Sequence, residues 1–319
     1  MNGRGPATSP ERRLSRLRCN DLAAARAALR CASPAQWDSA ALRTAWRNVH
    51  EAWLVAKSRE VGLVPGSGFA IVATGSLGRR ELLPHSDLDL LLLHDDMAPG
   101  AVAQVADQLW YPLWDANVRL DHSVRTVPQA LQVADSDMLV ALAMLDARHI
   151  AGDELLTSRL TAGVHRQWRQ GFDSRYGELL DVTQARWQRS GEIADSPEPD
   201  LKGGRGGLRD VQLFDALTVA GVVEPPGPRR PSLRRCSLRG AYRTVLDVRT
   251  ELHRVCGRGD DLLSARYTDE ISAVLGIGDS RDLTSRLFDA AREISHRVDT
   301  ALRVAADAIS GRVTPAVRV

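Results

Sequence analysis

The sequence predicts an α+β protein in which a few short strands lie between two mostly helical regions. Three observations carry this. The runs "FAIVAT" (69–74) and "DLDLLLL" (87–93) are short and apolar, as buried strands are. A Gly-Ser turn, Gly75-Ser76, stands between them. On both sides of this segment, before residue 60 and after about 128, apolar residues recur instead at helical spacing.

Taken in order, the start "MNGRGPATSPERRLSRLR" is basic but lacks the apolar core of a secretory signal, and is expected to be a disordered arm over 1–18. Residues 19–62 read as N-terminal helices. Leu42, Trp46, Val49, Trp53 and Ala56 step by four and three, which makes the tryptophans core rather than ligand platforms. "GLVPGSG" breaks that helix through Pro65 and its glycines. A small domain over 63–128 follows. Its first strand turns at Gly75-Ser76 into a short helix over 77–83, closed by Pro84-His85-Ser86, and Asp87–Leu93 is the second strand. "PGAVAQVADQLWYPLWDA" reads as a helix broken at Pro112, and "NVRLDHSVRT" (117–126) alternates as a third strand.

A helical domain is expected over 129–312, with a polar tail at 313–319. It opens on the long apolar pattern of 129–150 and continues in a charged helix, 163–190. The turn-rich "GEIADSPEPDLKGGRGGLRD" then leads into the helix "VQLFDALTVAG". A Pro/Arg loop (224–235) precedes a helix at 240–256 with the stripe Val245, Val248, Leu252, Val255, and a last helix covers about 281–309.

Composition narrows the class. The chain has 319 residues, 44% hydrophobic and 26% charged, a globular balance with length for about two domains. No stretch approaches the roughly 20 apolar residues that span a bilayer, so no membrane is involved. Cys19, Cys31, Cys236 and Cys256 are scattered without C-x-x-C spacing, which argues against a zinc site or disulfide framework and for a cytoplasmic, reduced protein. A net charge of +2 is too small to point to nucleic acid. One local exception is the arginine-rich segment with Arg229, Arg230, Arg234, Arg235, Arg239 and Arg243, either a solvated face or a docking surface for an acidic partner or a nucleotide.

The chemistry concentrates in "VATGSLGRRELLPHSDLDLLLLHDD". Residues i and i+2 of a strand share a face, so Asp87 and Asp89 project side by side while Leu88 and Leu90 face away. Two carboxylates this close repel unless a cation bridges them, and hard oxygen donors suit Mg²⁺. A glycine between strand and helix lets the backbone approach an anion, and free N–H groups at the helix start favour phosphate. Ser76 adds a hydroxyl and Arg79 a charge-assisted contact. Alone, a D-x-D pair or a Gly-Ser turn is commonly structural; together at this spacing they indicate nucleotidyl transfer. Two-metal catalysis needs a third acid. Asp121 is the candidate, with Asp115 the alternative, though Asp121 could equally pair with Arg119 or Arg125.

"GSLGRRELLPHSDLDLLLL" resembles the nucleotidyltransferase motif of the bacterial PII uridylyltransferases, members of the polymerase-β-like superfamily. "LWDANVRLDHSVRT", "LVALAMLDARHIAGD" and "DLKGGRGGLRDVQLFDAL" match the same enzymes in order, closest to the actinobacterial branch. The resemblance implies a small mixed-sheet domain flanked by helices. The implied reaction moves UMP from UTP (or AMP from ATP) onto a tyrosine of the PII protein, releasing pyrophosphate. It carries Gly75 and Ser76 over as triphosphate contacts, Asp87 and Asp89 as Mg²⁺ ligands, and Lys202, Arg209 and Asp210 as groups shaping or contacting the nucleotide side of the cleft. Glycine turns with a helix cap are the structural alternative for that last set. Full-length members continue into an HD-type hydrolase domain and paired ACT domains. This chain ends before both, and His94-Asp95 lacks the spaced partners of such a metal site, so the resemblance does not extend to uridylyl removal or glutamine sensing, and the chain reads as either an excised catalytic fragment or a naturally short protein. The rival readings are an idle module that only binds nucleotide or PII, and transfer to a small molecule or an RNA end.

Overall fold

The computed structural model describes residues 21–224 and 237–313. The basic arm, the tail beyond 313, Cys19, Cys236, and Arg229, Arg230, Arg234 and Arg235 lie outside them. Two compact units are present: Met1–Gln132 with Asp146–Thr161, and Val133–Leu145 with Ala162–Val319.

In the first unit, α1 (Leu22–Arg30) starts at Asp21, whose side chain accepts from the Ala24 N–H at 2.8 Å. The second helix, α2 (Ser39–Glu60), starts in the same way at Asp38, which accepts from Ala41 N–H at 2.7 Å. Such caps satisfy N–H groups that a helix start leaves unpaired. Trp46 and Trp53 are buried, as expected of core residues. The chain continues through β1 (Phe69–Ala73), a single turn α3 (Gly75–Gly78), β2 (Leu88–His94), α4 (Pro99–Asp115), β3 (Leu120–Arg125), α5 (Val127–Ser136), α6 (Met138–Leu145) and β4 (Arg148–Gly152).

The sheet order is β3-β2-β1-β4. Strand β1 is antiparallel to β2 and to β4, whereas β2 and β3 are parallel, so the sheet is mixed, small and flanked by helices as expected. One core lies between one face of the sheet and the helices. Phe69, Ile71 and Ala73 of β1 and Leu88, Leu90 and Leu92 of β2 pack there with Trp53 and Leu54 of α2 and Leu109, Trp110 and Leu113 of α4.

The structure corrects four local expectations. Helix 77–83 is only the turn Gly75–Gly78, because Arg80 takes a left-handed φ of 64° and ends it. Asp87 lies just before β2 rather than inside it. Helix α4 runs through Pro112 without breaking. Proline removes one helical hydrogen bond, but Leu109 and Leu113, both fully buried, hold the last turn against the sheet. Finally, 129–150 is not one helical stretch. Asp137 separates α5 from α6, its side chain accepting from Leu139 and Val140 N–H, and Arg148–Gly152 is a strand paired with β1.

After β4 comes α7 (Glu154–Ser190). The rest of the second unit is helical: α8 (Leu208–Val219), α9 (Leu238–Cys256), α10 (Thr268–Leu275) and α11 (Ser280–Val313). Helix α9 is capped by Ser237 and stopped by Gly257 in the left-handed conformation. Its stripe Val245, Val248 and Leu252 is buried, Arg239 and Arg243 are exposed, and α9 packs along α11. Among the described residues no helix is long and apolar enough to cross a membrane.

Candidate active site

The site is assembled at one end of the sheet in the first unit. Leu88 and Leu90 point into the core, 1% and 3% exposed, which turns Asp89 to the opposite face. In the parallel pair β2–β3, Asp89 stands in register with Asp121. Paired residues share a face and adjacent strands lie about 4.8 Å apart, so these acids are neighbours. Asp87, just before the strand, is paired with Arg119 at 2.6 Å, both side chains more than half exposed. Arg119 also donates to the His85 carbonyl at 2.5 Å, fixing the loop that leads into β2. The alternative third acid, Asp115, is the last residue of α4 and exposed.

Gly75 follows β1 with φ +54°, a conformation open to glycine and strained for other residues. A Cβ at this position would collide with the Asp89 carboxylate. The bend and the acid are therefore in direct contact, and Thr74 N–H donates to the Asp89 carbonyl at 3.0 Å. Beside them the Ser76 hydroxyl is buried and makes no hydrogen bond among the described residues. A buried polar atom left without a partner is costly, and a ligand oxygen would satisfy it. Among the described residues no three acidic, histidine or cysteine side chains form a ready-made metal shell. The donor set nevertheless suits a divalent ion, since Asp89 and Asp121 are hard oxygen donors on one face and the glycine leaves room for Asp89 to turn toward it.

Arg79 is paired with two acids. Its guanidinium bonds Glu81 at 3.1 Å and Asp146 at 2.7 Å.

Lys202, Arg209 and Asp210 belong to the second unit. Asp210, fully buried at the start of α8, accepts from Arg186 at 2.6 Å, from the Trp187 indole N–H at 2.9 Å and from Gly206 N–H at 2.7 Å. Both carboxylate oxygens are thus engaged in holding the glycine loop. Gly206 has φ +83° and sits where a Cβ would be 2.6 Å from the Ala291 carbonyl, so the loop presses against α11. Lys202 lies 3.9 Å from Asp261, a carboxylate that also takes Arg249 at 2.7 Å. Burial raises the Asp261 pKa, but the His253 hydrogen bond and the Arg249 and Lys202 charges outweigh it and hold the group well below the carboxylate range. Arg209 reaches solvent, and its pKa is lowered by partial burial and then by Arg186.

Sequence reasoning missed Glu51, Asp146 and Arg148. They surround the α3 turn, and Arg148 reaches it only because β4 pairs with β1, a pairing that leaves no local signature.

Residues 22–116 match the family described as "Putative nucleotidyltransferase DUF294". The bifunctional uridylyltransferase/uridylyl-removing enzyme of Mycobacterium tuberculosis is 56% identical over 293 residues, 92% of this chain and 36% of the relative. Its counterpart from Streptomyces coelicolor is 44% identical over 74% of this chain and 27% of the relative. That from Corynebacterium glutamicum is 40% identical over 76% of this chain and 33% of the relative. The chain spans about a third of the length of the curated relatives it matches. Identity of this order across most of the chain makes it a homologue of one portion of the longer bacterial bifunctional uridylyltransferase/uridylyl-removing enzymes.

Proposed function

We propose that the chain catalyses Mg²⁺-dependent nucleotidyl transfer, moving UMP from UTP (or AMP from ATP) onto a tyrosine hydroxyl of the PII protein and releasing pyrophosphate. The observation that carries this reading is the Gly75 bend packed on the Asp89 carboxylate, with Asp121 beside it in register. Homology to enzymes named for uridylyl transfer supports the same chemistry. Asp87, Asp89 and Asp121 would hold the metal. When bound, the metal neutralises triphosphate charge and lowers the pKa of the attacking hydroxyl. The Ser76 hydroxyl donates to a triphosphate oxygen, and the bend's backbone N–H groups receive the remaining negative charge. Asp121, on the sheet's edge strand, orients the acceptor side. The chain's own contribution is positioning and electrostatics, and no covalent enzyme intermediate forms.

Incubation with α-labelled UTP or ATP, Mg²⁺ and PII protein tests the proposal, the expected result being labelled PII. Changing Asp87→Asn and Asp89→Asn together should lower transfer by about 10³-fold or more, with the thermal midpoint nearly unchanged. Full activity in that double variant would sink the scheme. Nucleotide binding without labelled PII would identify an idle module instead.

A further inference from the structure

The nucleotide-facing bend opens α3, which is one turn of four residues. A single turn is not stable by itself, because nucleating a helix costs more than its first hydrogen bond returns. What holds it comes from β4, 70 residues further along the chain. Arg148, the first residue of that strand, donates from Nη2 to the Leu77 carbonyl at 2.7 Å and from Nε to the Gly78 carbonyl at 3.1 Å. The same Nη2 meets Glu51 of α2 at 2.6 Å. The Arg148 and Glu51 side chains are 21% and 28% exposed, so this ion pair is largely shielded from water. Asp146 closes on the turn from the same segment. Its side chain takes Arg79 at 2.7 Å, and its carbonyl lies 2.5 Å from where a Cβ on Gly78 would stand.

A guanidinium here pairs the Gly78 carbonyl at the end of the turn, adds a second donor to the Leu77 carbonyl beside the Arg80 N–H, and offsets the negative end of the turn. Its planar fork reaches two carbonyls and a carboxylate at once, which a lysine ammonium does not.

From this geometry we infer that Arg148, braced by Glu51, is a positioning residue for nucleotide binding. It fixes the turn whose opening residues, Gly75 and Ser76, face the triphosphate, and does not touch the nucleotide itself. The inference rests on the nucleotidyl-transfer reading.

The test is steady-state transfer by the full chain at varied Mg²⁺-nucleotide and saturating PII, well below each variant's unfolding temperature. Arg148→Met removes charge-assisted hydrogen bonds and should raise the nucleotide KM about tenfold. With the carboxylates untouched, kcat should stay within about threefold. Arg148→Lys should recover only part of the loss. Glu51→Gln, which keeps a hydrogen bond but loses the charge, should raise KM about two- to fivefold. A general packing defect would not confine its effect to KM. Amide hydrogen exchange without nucleotide gives a reading independent of activity. Residues 75–79 should exchange faster in Arg148→Met while β1 and β2 keep their protection.

A folded Arg148→Met with wild-type KM and wild-type exchange overturns the inference. If that variant does not fold, unchanged KM in both Arg148→Lys and Glu51→Gln overturns it equally. Wild-type protein that transfers no nucleotide would defeat the function proposed above, and the exchange experiment would then decide the brace alone.

Discussion

Two aspartates show how differently one residue type is used in this chain. Asp89 borders the Gly75 bend on the face of the sheet turned away from its core, whereas Asp210 is fully buried with both oxygens engaged. Asp210→Ala would leave Arg186 as a buried cation without its carboxylate, and breaking such a pair costs about 3–5 kcal/mol. Denaturant unfolding should show this loss, and retention of wild-type stability would refute the brace. Gly75→Ala is expected to fail differently. The added methyl has to displace the Asp89 carboxylate, so transfer should fall by about 10²-fold or more, while strain at a left-handed residue costs only about 1–3 kcal/mol. Unimpaired transfer by Gly75→Ala would mean that the bend is not part of the site. The turning of Asp89 away from the core was legible from its spacing, because a strand's two-residue period sets it opposite Leu88 and Leu90 without knowledge of the fold. The acidic partner of Arg79 was not, since Asp146, which takes its guanidinium, lies 67 residues away.

At the level of elements, strands defined by their own composition were readable and those defined by their partners were not. Strand β1 is a continuous apolar run and β2 is apolar apart from Asp89 and its terminal His94, both strands being buried through most of their length. Strand β4 reads "RHIAG", half-buried throughout, and is a strand only because β1 offers it an edge. Its sequence follows an apolar helix without a glycine or proline between them, so helical periodicity ran across it. Helix α4 erred in the other direction. A proline in its last turn predicted a break, yet Leu109, Trp110 and Leu113 bury the surrounding turns deeply enough to keep it helical. The cost of that proline should still be measurable. Pro112→Ala returns an N–H that the helix lacks, and restoring the bond should raise stability by about 1 kcal/mol. A lowered urea midpoint would show instead that the proline ring's own packing matters more.

At the scale of the whole molecule, buried histidines set how stability responds to acid. His50 is buried in the first unit, its Nδ1–H donating to the Trp46 carbonyl at 2.7 Å and its Nε2 accepting from Arg26 at 3.0 Å, with the Trp46 ring stacked on it. The groups that face it are thus a cation, a carbonyl and an indole. Burial, opposed by the Trp46 carbonyl and reinforced by the Arg26 charge, pushes its pKa down to about 4. His149 and His253 are lowered as well, burial again being the main cause. The sign follows from proton uptake. Between pH 6.5, where an unfolded histidine titrates, and about pH 4, the unfolded chain binds a proton that folded His50 refuses, so stability falls as pH falls. His50 alone contributes at most about 3 kcal/mol across that window. Below it, Asp261 adds to the loss, because the unfolded carboxylate takes up its proton first and stability goes on falling until the folded one, with its depressed pKa, is protonated as well. Urea midpoints measured from pH 7.5 to 4.5 should therefore decline. In His50→Gln the decline should be shallower, although this variant starts less stable at neutral pH because Arg26 and Trp46 keep an imperfect partner. An identical slope in wild type and variant would show that His50 takes up its proton in the folded state as readily as in the unfolded chain.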